Sequence, residues 1–245
     1  MYSACQTAIV VLLLASVPLA ARLAGPHARA WRAAGRGALY GILGSLAAAL
    51  CGALAAAFAT APNPAAAPPA LTAFLPVVLA GVFEEAARIL GIRRGRRRLV
   101  YQRGHAVMFG VGFGGAEMIV RAIGIASQTM QNPDAPLTLI AGQTMLTGVL
   151  LAFAVYVFHI SMAVIVYRIL SDEQLMRRAW VLFPLMAADH ATLNLGVASM
   201  FALYPSDAYA LFLWSIAAPL HAALALSVWR RTPQMASRAF AASAD

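Results

Sequence analysis

Seven long apolar segments recur along this chain, and they constrain its fold more than any other feature. They run roughly over 2–21, 38–60, 70–91, 105–127, 137–170, 179–203 and 208–229. A bilayer core of ~30 Å takes about 20 apolar residues of helix to cross. Backbone polar groups in lipid must be satisfied within each segment, so the expected fold is an all-α polytopic membrane protein. With 62% hydrophobic and 11% charged residues, the 245-residue chain is too apolar for a water-soluble domain. Pro and Gly mark the joints at Gly25-Pro26, 61–69, 132–136 and Tyr204-Pro205. Residues 1–230 read as a single transmembrane domain and 231–245 as a tail. The first segment lacks a basic leading region and its apolar run is long, so it is expected as a retained helix rather than a signal peptide.

The fifth segment exceeds one simple span, since 34 residues of helix reach ~50 Å. Its first third, Leu137–Thr147, reads as an interfacial or half-buried helix, which gives seven transmembrane helices, or eight if the segment divides. All 18 basic residues are arginine. Arg22, Arg29, Arg32 and Arg36 fall in one joint, Arg93, Arg94, Arg96, Arg97, Arg98 and Arg103 in another. Arg168, Arg177 and Arg178 surround a third, and Arg230, Arg231 and Arg238 follow the last segment. The alternate joints have none, so the positive-inside rule predicts the N-terminus outside and the C-terminus cytoplasmic, in the plasma or inner membrane. The net charge of +9 is therefore read as topology and contact with membrane lipid, not as nucleic-acid binding. Cys5 and Cys51 offer neither metal-ligand spacing nor a disulfide framework.

Ionisable residues inside these segments are costly, which makes them informative. Measured from the predicted cytoplasmic ends, Glu85 lies ~9 Å deep, Glu117 ~18 Å, His159 ~16 Å, His190 ~15 Å and His221 ~12 Å. Five segments thus place an ionisable group in one slab of the membrane. Glu84, Glu85 and Arg88 share a helix end, with Arg88 about 40° from Glu84 and about 60° from Glu85 around the axis, so it can pair with either. A single arginine cannot neutralise two carboxylates. Glu117 shares a stripe with Gly110, Gly114 and Arg121; the glycines suit close helix packing, and Arg121 is a possible partner one turn on. His190 and Asn194 lie at i, i+4 on one face, with Asp189 about 100° away. His159 stands alone in an apolar run. His221 has the right depth but no companion motif and reads as structural, and His27 and His105 are given no role.

Carboxylates and imidazoles beneath a membrane surface permit three chemistries. A glutamate can activate water against a peptide carbonyl while His and Asn stabilise the oxyanion. The same groups can hold a zinc ion that activates the water. They can also form an ion path in a transporter, although no internal repeat supports that reading.

The motifs Glu84-Glu85-x-x-Arg88, Phe113-x-x-x-Glu117 and His190-x-x-x-Asn194, in this order, resemble the glutamic-type intramembrane endopeptidases, a superfamily that includes the CAAX-processing and PrsW families. The run from Gly110 to Glu117, with Glu85-Ala-Ala-Arg88-Ile-Leu90, looks most like the YhfC family. The resemblance covers about half the chain. It implies a protease acting on a membrane-embedded or lipidated peptide, without an obligate cofactor. By that resemblance Glu84 or Glu85 is the base, Glu117 helps to hold the water, and His159, His190 and Asn194 position it and stabilise the intermediate; Arg88 completes the first motif. Two features depart from the CAAX-processing pattern. The second motif ends in Glu117 rather than His, and His159 directly follows Phe158 instead of lying four residues after a Phe. Zinc dependence, and a non-enzymatic transporter or scaffold, are the alternatives.

Overall fold

Alanine, leucine and arginine, all strong helix formers, fill the stretches between the Pro- and Gly-rich joints. Every described element is accordingly a helix. The computed structural model of the chain describes residues 30–59, 69–98, 103–131, 140–203 and 207–231. The expected helix over 2–21, Arg22, His27, Arg29, the joints at 61–68, 132–136 and 204–206, and the tail after 231 lie outside the described residues, as does the side chain of Arg121. The helices are α1 (Ala30–Ala59), α2 (Pro69–Arg98), α3 (Arg103–Gln131), α4 (Ile140–Ser171), α5 (Glu173–Arg177), α6 (Ala179–Leu203) and α7 (Asp207–Arg231), with no strand among the described residues. Three of them are long and apolar enough to cross a membrane: α1 over Trp31–Leu54, α4 over Phe153–Ser171 and α7 over Phe212–Arg231.

The fifth apolar segment is not divided within its described part. Ile140–Ser171 is one helix of 32 residues, ~48 Å long. The additional helix is the five-residue α5, and it arises from a cap rather than from hydrophobicity. Asp172 leaves helical geometry at φ −114°, ψ 121°, and its carboxylate accepts from the backbone N–H groups of Gln174 and Leu175. These are donors that a helix start leaves unpaired. Arg168, in the last turn of α4, donates to the same carboxylate at 2.5 Å. The pair stops one helix and starts the next.

The strongest helix pairings close a ring in the order α1, α3, α4, α7, α6, α2 and back to α1, while α2 also reaches α4 across it. α1 and α2 run antiparallel, with Tyr40 of α1 beside Arg94 of α2 and Gly52 beside Pro76. The faces of α1 are sorted by size. Ala33, Gly37, Gly41, Gly44 and Ala48 are turned inward, and Leu39, Leu43, Leu46, Leu50 and Leu54 outward. Small residues let backbones approach closely where lipid gives no hydrophobic drive for association. Large apolar side chains are exposed on the described surface, while Glu84, Glu85, Arg88, Glu117, His159 and His190 are buried within a largely apolar core. An apolar surface of this kind suits a hydrocarbon solvent.

Candidate functional site

The site is built by four helices. α2 contributes Glu84, Glu85 and Arg88, α3 Glu117, α4 His159 and α6 His190. Two glycines set the spacing. A Cβ on Gly81, one turn before the paired glutamates, would lie 2.6 Å from the amide nitrogen of Ala191 and 3.0 Å from the carbonyl carbon of His190. A Cβ on Gly110, two turns before Glu117, would lie 2.5 Å from the Cα of Ile160 and 3.0 Å from the carbonyl oxygen of His159. Each histidine-bearing backbone therefore rests directly on a helix that bears glutamate.

Arg88 is the centre of the polar network. One Nη donates to Glu85 Oε1, on the next turn of the same helix. The other donates to His159 Nδ1 at 2.5 Å across the ring. Its guanidinium carbon also lies 4.6 Å from the centroid of the Phe113 ring, in cation–π geometry. Because arginine only donates, the Nδ1 of His159 must accept, which places the ring proton on Nε2. That nitrogen meets Glu117 Oε2. The Nδ1 of His159 is thus hydrogen-bonded, while its Nε2 meets Glu117 in a close ion-pair contact without hydrogen-bond geometry.

His190 sits between the two glutamates. Its Nδ1 is 2.8 Å from Glu85 Oε1 and its Nε2 is 3.5 Å from Glu84 Oε2. Glu85 Oε1 accepts from both Arg88 and His190, whereas its Oε2 has no hydrogen-bond partner. Glu85, Arg88 and His159 are fully enclosed; Glu84 and Glu117 keep 7% and 9% exposure. Among the described side chains the cluster holds three carboxylates and one guanidinium, so the balance falls to protonated imidazole, to a protonated carboxyl or to a bound cation. Donor atoms of Glu84, His159 and His190 lie within 4.8 Å of one another, close enough to share a metal ion.

Six of the seven residues singled out in the sequence therefore meet. Asn194, one turn beyond His190 on α6, is only half-buried and makes no hydrogen bond among the described residues. Two further features had no clear signal in the sequence. The ring of Phe158 is an edge-on hub with centroids 4.9 Å from His190, 5.5 Å from His159, 5.2 Å from Trp214 and 4.8 Å from His221. Behind it, His221 Nε2 lies 2.7 Å from Asp189 Oδ2, and its Nδ1 lies 2.7 Å from the carbonyl oxygen of Ala217. The offset of Asp189 from His190 around the α6 axis is what turns it towards α7. No protein-family model, no curated protein and no solved structure matches the chain.

Proposed function

We propose that the chain is a multi-pass membrane endopeptidase of the glutamic type, cleaving a membrane-embedded or lipidated peptide near the inner leaflet of the plasma or inner membrane. The carrying observation is the placement of His190 between Glu84 and Glu85, on a helix other than theirs. The order of the three motifs, similar to that of the YhfC and PrsW families, supports the same reading. The arginine-rich joints support an outside N-terminus and a cytoplasmic C-terminus.

Glu84 is assigned as the base. Glu85 is fully enclosed and its Oε1 is committed to Arg88 and His190, which places it as an anchor rather than as the group that meets the attacking water. Glu84 retains some exposure and faces the other nitrogen of His190. With Nδ1–H donating to Glu85, His190 Nε2 and Glu84 Oε2 must have a proton between them or repel. Glu84 takes a proton from water as the oxygen attacks the peptide carbonyl. Protonated His190 then faces the developing oxyanion and passes a proton to the leaving amine nitrogen. Arg88, His159 and Glu117 hold Glu85, and through it His190, in register.

One observation favours a second reading, a zinc-dependent protease: the close approach of donor atoms from Glu84, His159 and His190, together with the excess of carboxylates. Against it, both nitrogens of His159 already have partners in Arg88 and Glu117, so coordination requires one of them to let go. Comparative proteomics of membranes carrying wild-type or E84Q/E85Q protein tests the activity. New peptide termini dependent on the carboxylates are expected, and their absence rejects the endopeptidase assignment. Cleavage that a membrane-permeant chelator abolishes and zinc restores selects the second reading.

A further inference from the structure

At the ends of α1 and α2 remote from Pro76, positive charge accumulates without a described counter-charge. Arg32, Arg36 and Tyr40 follow one another at i, i+4 and i+8 and so form a stripe along one face of α1. Arg94 of α2 donates to the Tyr40 hydroxyl at 3.0 Å, which brings the Arg94 side chain against that stripe, with Arg93 and Arg96 on the same end of α2. Among the described residues, none of these five arginines forms an ion pair. Arg36 carries the more pointed signal: the residue is half-buried, and its enclosed Nη1 has no hydrogen-bond acceptor, so the guanidinium is incompletely satisfied where it meets the surface. A guanidinium donor so placed is costly unless an oxygen reaches it. Trp31, 56% exposed beside Arg32, gives this end the amphipathic aromatic expected at a membrane–water boundary.

We propose that this corner is a binding site for the phosphate of an anionic phospholipid, held by the Arg36 and Arg94 guanidinium groups with Arg32 and Tyr40 beside them. Guanidinium forks match phosphate oxygens in pairs, and basic pockets between membrane helices suit such headgroups. A lipid brings its phosphate to the depth where the arginines end and lays its chains along the outward leucines of α1. The site is separate from the glutamate–histidine cluster and independent of the endopeptidase reading.

The test is native mass spectrometry of the full-length protein released from micelles containing phosphatidylglycerol and phosphatidylcholine in equal amounts. Wild-type protein is expected to retain the anionic lipid preferentially, and R36Q/R94Q to lose roughly thirtyfold in retention. R177Q/R178Q, which removes two arginines elsewhere, is expected to leave retention unchanged. The charge-preserving R36K/R94K guards against a folding defect and is expected to lose retention several-fold, since lysine lacks the fork. Equal lipid retention in wild-type and R36Q/R94Q protein would falsify the site, as would an R36K/R94K variant that retains lipid fully. Complete displacement of the lipid by millimolar inorganic phosphate would assign the site to a soluble anion and overturn the lipid assignment.

Discussion

α1 and α4 are both apolar along most of their length, yet 72% of an 18-residue window within Phe153–Ser171 of α4 is buried against 22% of one within Trp31–Leu54 of α1. Hydropathy alone does not separate them; the placement of side-chain bulk does. α1 gathers its small residues on one face and its leucines on the other, so it can lie at the edge of the bundle with lipid on one side. α4 carries buried bulk on several sides (Val155, Tyr156, Phe158, Met162, Val166 and Tyr167) and needs protein neighbours around it. His159 belongs on the second kind of helix, because its two nitrogens draw partners from two other helices. Enclosure, not apolarity, is what permits polar chemistry within lipid.

The sharpest way to break this contrast is to change an enclosed carboxylate. Under the proposed function, E84Q lowers cleavage by about a thousandfold, measured as the rate of appearance of carboxylate-dependent peptide termini, while L50Q on the outer face of α1 leaves it within about twofold of wild type. Removing the charge at the centre of the network comes next. Arg88→Ala leaves Glu85 buried without its principal partner and is expected to cost about 3–5 kcal/mol, read as the shift in thermal unfolding in detergent. A drop below about 1 kcal/mol would show that the network is looser than its geometry implies.

Packing effects follow. Phe158→Ala removes the aromatic hub and is expected to cost about 3 kcal/mol, whereas Leu50→Ala, at a residue 63% exposed, should cost less than about 0.5 kcal/mol. Equal losses in the two variants would erase the distinction between α1 and α4. The smallest effect is at the α4–α5 junction. The backbone N–H of Leu175, with the charge of Arg168 and the N–H of Gln174, holds the Asp172 carboxyl below the usual carboxylate range. A lowered folded-state value means that the cap is fully effective above the ordinary range and is lost as the pH falls through the lowered one. Hydrogen-exchange protection factors across 173–178 should therefore fall only in acid, whereas D172A, which removes the acceptor, should lower them already at neutral pH and lose that dependence.

The all-helical fold was legible because lipid allows so few alternatives: long apolar segments had to become helices, and Pro and Gly marked where they break. That Glu85, Glu117, His159 and His190 stand near one level along the helices was also readable, since position along a helix follows from counting residues. Facing was not, because each residue's partner sits on another helix, and the order of helices in the ring has no local signature. Phe158 resembled any other aromatic in an apolar run until its four ring neighbours were in place. Asn194 shows the converse: its i, i+4 spacing from His190 predicted a common face, but one turn of rise carries it clear of the cluster. Asp172 broke a pattern that hydropathy would have continued, because a cap depends on two backbone donors rather than on side-chain polarity.

Among the described residues, the helices bearing the glutamates and His190 are not among the three long and apolar enough to cross a membrane by length and composition. If α2 enters lipid, as the proposed function requires, Glu84, Glu85 and Arg88 enter before His159 and His190 are synthesised, and a chain truncated before α6 is expected to be retained in membranes less well than the full chain.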